Sequence, residues 1–199
     1  MRLVKTVIDF VMDILETVTF VGSLFIVVYL FIMQPNQVKG RSMEPTFVDK
    51  DYIFTSKITY QFRQLERGDV IVFKSPKNPD VEFIKRIIGL PGDKVRVDGG
   101  VVYVNGMALE ETYTSTNETP LWENGFIHDG VQVTIPQGQI FVMGDNRPMS
   151  SDSRDFGPVD INSIIGQVFY RYYPLQKTGV IDNPLPLQLH TRYLLHQIT

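Results

Sequence analysis

Seventeen consecutive residues, Thr17 to Met33 (TVTFVGSLFIVVYLFIM), carry no charge, and Gln34 and Pro35 end the run. At a rise of 1.5 Å per residue such a stretch sits at the short end of the roughly 17 to 25 residues that cross a bilayer as a helix. A chain holding one such segment is constrained to a single anchor with its remaining bulk folding on one side. A cleaved export signal is the rival reading, but Gln34-Pro35-Asn36-Gln37-Val38 follows without a small-x-small cleavage site, which favours a retained anchor over residues 17–34. In residues 1–16, Leu3, Val7, Phe10, Val11, Ile14 and Leu15 recur at helical spacing between Arg2, Lys5, Asp9, Asp13 and Glu16. This is either a short amphipathic segment at the membrane face or a continuation of the same helix. Positive charge does not orient the anchor, because Arg2 and Lys5 on one side face Lys39, Arg41 and Lys50 on the other.

Beyond the anchor the pattern changes to short alternating runs bounded by Gly, Pro, Asn and Asp: 52–56, 69–73, 81–88, 94–97, 101–104, 131–135, 139–143 and 165–173. The expected fold is therefore mostly β, over residues 36–183. Asp98-Gly99-Gly100 and Asn105-Gly106 flank Val101–Val104 as hairpin turns. Residues 105–135, rich in Thr, Glu, Asn and Gly and carrying Trp122 and Phe126, read as an excursion from the core, and 184–199 as a C-terminal tail.

A net charge of -3 with no Lys/Arg run longer than Lys85-Arg86 excludes a nucleic-acid partner. The absence of cysteine excludes thiol catalysis and thiolate metal sites. His128, His190 and His196 stand at no metal-ligand spacing, so neither a metal nor another cofactor is expected.

Four segments carry the chemistry. In Gly40-Arg41-Ser42-Met43-Glu44-Pro45-Thr46, glycine and proline fix a tight turn able to present a hydroxyl and its own N–H together, although a plain surface turn would hold the same residue types. In 81–93, period two places Lys85 on one face with Val81, Phe83 and Ile87, and Arg86 on the other with Glu82, Ile84 and Ile88. A lysine among apolar neighbours loses proton affinity by desolvation, whereas arginine stays charged. A lysine snorkelling from a sheet edge would show the same alternation. Arg67-Gly68-Asp69-Val70 reads as a turn entering a strand. The polar run Gly144-Asp145-Asn146-Arg147 through Ser150, Asp152, Ser153 and Arg154 follows an apolar strand and needs internal partners. Its spacing does not fit a calcium loop, and its alternating Asp and Arg suggest salt-bridged walls.

In this order, behind an apolar span, G-x-S-M-x-P-T, R-G-D-V, K-R-x-x-G-L-P-G-D and G-D-N-R-x-x-S-x-D-S-R resemble the type I signal peptidases, serine proteases with a Ser/Lys dyad, over about residues 17–172. The resemblance implies a coiled antiparallel β-sheet or partial barrel with an inserted loop region. It implies a single-pass enzyme of the cytoplasmic membrane, with its catalytic domain on the extracytoplasmic face, or of a thylakoid membrane with the domain on the lumenal side. The expected partners are preprotein signal peptides and the lipid bilayer, and the expected reaction is cleavage after small-x-small sites. By the same resemblance Ser42 is the nucleophile and Lys85 the general base. Ser150 hydrogen-bonds the lysine, while Asp145, Asp152 and Arg154 frame it and Arg86 pairs with Asp145. Val38, Met43, Phe47, Phe83 and Ile84 line pockets for small side chains, and the Ser42 N–H serves the oxyanion. Gly40 departs from relatives that place a second oxyanion-donating serine there. A self-cleaving repressor of similar core is disfavoured by the span. A penicillin-recognising enzyme is disfavoured by the lack of S-x-x-K, despite Lys177-Thr178-Gly179. The alternative from another class is a catalytically inactive, membrane-anchored, peptide-binding β domain.

Overall fold

The structure, a computed structural model, describes residues 2–185. Helix α1, Arg2–Val27, runs without a break through both the amphipathic and the apolar segments and continues as a single π-turn, Val28–Ile32. Of the two readings left open for residues 1–16, the continuous helix is the one observed. Val4–Ile32 is long and apolar enough to cross a membrane, and none of it is buried against the rest of the protein. Its hydroxyls are satisfied internally: Thr17 Oγ1 donates to Asp13 O at 2.8 Å, Thr19 Oγ1 to Leu15 O at 2.7 Å and Ser23 Oγ to Thr19 O at 2.7 Å. Lipid offers such groups no partner, so these bonds suit a helix in hydrocarbon.

The helix ends earlier than residue 34. Met33 is already extended (φ -153°, ψ 151°) and opens strand β1, Met33–Gln37. Pro35 explains this boundary, since it disfavours helical backbone at Gln34 and, lacking an N–H, is tolerated on an edge strand. β1 is such an edge. It pairs with β2, Tyr52–Ser56, in a register of Met33 with Ser56 and Gln37 with Tyr52. Lys57, the next residue after β2, clasps the helix end: its N–H donates to Ile32 O at 2.9 Å, and its Nζ donates to Tyr29 O at 3.2 Å and Leu30 O at 3.3 Å.

The remaining strands are β3 Val70–Lys74, β4 Glu82–Gly89, β5 Lys94–Asp98, β6 Val101–Val104, β7 Met107–Ala108, β8 Gln132–Thr134, β9 Gln139–Met143, β10 Val159–Asp160, β11 Ile164–Tyr173 and β12 Gly179–Val180. The main sheet has the order β1-β2-β11-β3-β4-β9-β10, with β12 on β11, and a second sheet has the order β7-β6-β5-β8. Every pairing is antiparallel. The expected mostly-β, antiparallel fold behind one N-terminal helix is the fold observed. Asn105 and Gly106 both take positive φ (52° and 81°), as a tight two-residue hairpin requires.

Apolar clusters cover both faces of the central strands. Val70 and Val72 pack with Val38, Met43, Phe47, Ile53 and Val168 on one side, and Ile71 and Phe73 pack with Ile87, Ile140, Val142 and Val159 on the other. This is why β3 reads as an unbroken apolar run. The region read as an excursion has no regular secondary structure over 109–131 but folds back on the core, burying Leu109, Tyr113 and Ile127. Leu185 is buried in the same cluster, and residues 186–199 of the expected tail lie outside the described residues.

Candidate active site

Ser42 stands on a turn held from three sides. Gly40 adopts φ +88°, where a side chain would be strained, and its N–H donates to Asp49 Oδ1 at 2.8 Å. Met43 and Phe47, four residues apart and joined by Phe47 N–H to Met43 O at 2.8 Å, bury their side chains and nail the turn to the core. Ser42 O accepts from Asn146 N–H at 3.0 Å. The approach is so close that a Cβ on Gly144 would lie 2.4 Å from Ser42 O, so position 144 excludes any side chain.

β4 brings the lysine to this turn. β3 pairs with β4 over Glu82–Arg86, but β9 reaches β4 only from Arg86 onward, leaving Glu82–Lys85 with a free edge. Val81 O accepts from Ser75 N–H, and Ile87 bonds to the segment entering β3, so the odd residues face β3. The backbone N–H and C=O of Glu82 and Ile84 therefore face the open side. Lys85 curls over that edge. Its Nζ lies 2.8 Å from Ser42 Oγ, donates to Ile84 O at 2.9 Å and sits 5.0 Å from the centre of the Phe83 ring.

Lys85 is only 4% exposed. Burial lowers its pKa from 10.5 to about 8; the carboxylates of Asp152 and Asp145 pull it back upward, and the Arg154 guanidinium opposes them. The sequence expectation of a desolvated lysine thus meets a cause in the fold: the amine is sealed in, while two nearby acids limit the loss of proton affinity.

Behind the lysine stands a charged frame. Arg86, 1% exposed, makes a bidentate pair with Asp145, 0% exposed, through Nε to Oδ1 at 2.9 Å and Nη2 to Oδ2 at 2.7 Å. Thr46 Oγ1 donates to Asp145 Oδ2 at 2.5 Å, and Arg86 Nη1 donates to Gly68 O at 2.8 Å. One ion pair therefore touches all four of the sequence segments. A second bidentate pair joins Arg154 to Asp152 at 2.8 Å through both nitrogens, with Gly144 N–H donating to Asp152 Oδ2 at 2.9 Å. Arg154 also donates to Pro120 O and Arg147 O, and its guanidinium lies over the Trp122 ring.

Two expectations need correction. Ser150 is buried against Gly144, but its Oγ has no hydrogen-bond partner among the described residues, so the expected bond to Lys85 is not made. The lysine amine is engaged by Ser42 and Ile84 instead. Val38, Phe83 and Ile84 do line a cleft of about 800 Å³ beside Ser42 and Lys85, together with Ile53 and Val72. Met43 and Phe47 do not. Their i, i+4 spacing turns both into the core beneath the nucleophile's turn. The sequence reading also missed the buried ion pair of Arg147 with Glu111, residues 36 positions apart with no local signal linking them.

A model of the family described as "Signal peptidase, peptidase S26" matches residues 11–173, which include the serine turn, the lysine strand and the charged frame. The chain belongs to the S26 signal peptidase family. An S26 signal peptidase is a serine endopeptidase, and in this one α1 is long and apolar enough to serve as a membrane anchor. Among its relatives, signal peptidase IB of Staphylococcus aureus is 35% identical over 186 residues, covering 86% of this chain and 96% of that protein. A probable signal peptidase I-2 of Synechocystis is 39% identical over 158 residues, covering 77% and 69%. A solved signal peptidase I from Enterococcus faecalis is 36% identical, covers 53% of this chain and 97% of that one, and superposes with a TM-score of 0.44.

Two stability measurements test the site's electrostatics. Asp145→Ala strands a buried guanidinium and is expected to cost about 3–5 kcal/mol, read from denaturant unfolding in detergent. Lys85→Met is expected to stabilise. The folded lysine releases its proton near 8 and the unfolded one near 10.5, so between these values the unfolded chain binds the extra proton and native stability rises with pH. The penalty, about 3 kcal/mol at most, is fully present below pH 8, and the gain from Lys85→Met should shrink as pH climbs toward 10.5.

Proposed function

We propose that this chain removes N-terminal signal peptides from exported preproteins, cutting after small-x-small sequences, with Ser42 as nucleophile and Lys85 as general base. The observation that carries the reading is the 2.8 Å separation of Nζ and Oγ at the end of an open cleft. The substrate lies extended against the free edge Glu82–Lys85, where the N–H and C=O of Glu82 and the N–H of Ile84 are available for strand addition, the Ile84 carbonyl being engaged by Lys85 Nζ. Its residue before the cut meets Val38 and Ile84.

Neutral Lys85 takes the Ser42 proton as Oγ attacks the scissile carbonyl. The Ser42 N–H donates to the oxyanion, and the lysine ammonium then protonates the departing amine. Water, deprotonated by the same amine, releases the acyl group and restores the serine. Gly40 brings no hydroxyl to this oxyanion and its N–H is held by Asp49, so a second donor from that position has no support. This sequence of steps needs no histidine.

The catalytic domain works on the extracytoplasmic face of the cytoplasmic membrane, the lumenal face of a thylakoid being the equivalent site. There α1 confines the cleft to the layer where exported chains emerge, which raises effective concentration without adding contacts. An inactive peptide-binding domain is not favoured, because both reacting groups are present and within bonding distance.

Ser42→Ala and Lys85→Ala should each abolish preprotein processing, with the fold unchanged by circular dichroism. Lys85→Arg should be equally inactive, since guanidinium keeps its proton. For the native enzyme, kcat/KM should climb with pH through about 8 as the amine becomes neutral. Processing at native rates by any of the three variants, or a pH profile flat from 6 to about 9, would overturn the assignment.

A further inference from the structure

The two walls of the cleft approach the Ser42–Lys85 pair in step. Asn36 on β1 and Val38, the residue just past the strand's end, whose N–H still bonds to Asp51 O at 2.8 Å, are two residues apart in extended chain and so share a face; on β4, Glu82 and Ile84 do the same, and all four line the cleft. Val38 and Ile84 form the nearer, apolar rung, with Ile84 adjacent to Lys85 in sequence and bonded to its amine. Asn36 and Glu82 form the next rung outward, about 6.6 Å further along an extended chain. That rung is polar. Asn36 Nδ2 donates to Glu82 Oε2 at 3.2 Å, spanning the cleft from one wall to the other.

This bond fixes the orientation of the amide, because the carboxylate accepts from nitrogen and would repel oxygen. Asn36 Oδ1 is left shielded from water with no hydrogen-bond partner among the described residues. A buried acceptor in that state is satisfied only by an incoming donor. An extended substrate presents its first and third residues before the cut on the same face. When the first meets Val38 and Ile84, the third meets Asn36 and Glu82.

We propose that Asn36 and Glu82 form a subsite that selects a hydroxyl side chain, serine or threonine, on the third residue before the scissile bond. Glu82 orients the amide and Asn36 Oδ1 accepts the hydroxyl proton. Alanine fits this position without supplying the donor, and valine, the size of threonine, leaves the acceptor unmet. The inference rests on the reading of Ser42 as nucleophile, which sets where the first residue lies.

The test uses the full chain in detergent and two peptides that carry alanine before the cut and differ only in threonine or valine at the third position. Threonine should be favoured by about tenfold in kcat/KM, the factor expected of one unmet buried hydrogen bond. Asn36→Leu, which keeps the shape and removes the acceptor, should bring the ratio to one or reverse it in favour of valine. Comparing two peptides on the same enzyme cancels any general loss in the variant. Equal rates on both peptides with the native chain would overturn this subsite while leaving the nucleophile assignment standing, and so would a threonine preference that survives Asn36→Leu. Failure to cut either peptide would overturn both readings. Should Asn36→Leu fail to fold, the native ratio decides alone, with any value of one or below overturning the proposal.

Discussion

The buried pair of Arg86 and Asp145 is the contact on which the site's assembly depends. Thr46 from the serine turn, Gly68 from the turn before β3, Arg86 from the lysine strand and Asp145 from the polar loop meet at one carboxylate and one guanidinium. Each segment is short, and none would hold its conformation alone. A buried ion pair adds little net stability once desolvation is counted, but removing one partner is severe, so the pair acts as a demand that all four segments be present together. Placed on β4 directly after Lys85, the guanidinium also ties the strand that carries the amine to the loop that supports the serine turn.

The reactive geometry arises from something the sheet leaves undone. β9 begins its pairing with β4 at Arg86, and the preceding four residues keep one edge open. An unpaired edge normally invites aggregation. Here a lysine side chain wraps over part of it. Burial lowers the amine's affinity for a proton, while Asp145 and Asp152 prevent that affinity from falling further. Protein stability is thereby traded against readiness for proton transfer, as is common where ionisable groups are held out of water.

Much of this was legible from the residues. Alternation in 81–88 placed Lys85 among apolar neighbours, and the hairpins around Asn105-Gly106 followed from turn chemistry. The pairing of Arg86 with Asp145 was expected from the family resemblance and is present in the fold. Strand β1 was hidden because its first residue, Met33, closes the apolar run and the rest, Gln34-Pro35-Asn36-Gln37, shows no alternation of apolar and polar residues. Met43 and Phe47 were read as pocket residues because their place near the nucleophile is visible in sequence, while the direction of their side chains is set by a turn that only the fold defines. The Oγ of Ser150, without a partner among the described residues, and the pair of Arg147 with Glu111 depend on packing between distant segments, which no local pattern encodes. The same holds for Asn36 with Glu82, drawn from opposite walls.

Lys57 grips the end of α1 at the point where the chain passes straight into β1, and β1 becomes a wall of the cleft with no spacer between. A flexible stalk would let a catalytic head wander over a hemisphere of orientations; this junction leaves no such stalk between helix and head. A helix that tilts to match a bilayer would pass part of that tilt to the mouth of the cleft. Bilayer thickness, which sets that tilt, becomes a mechanical input to which stretch of an emerging chain falls within reach.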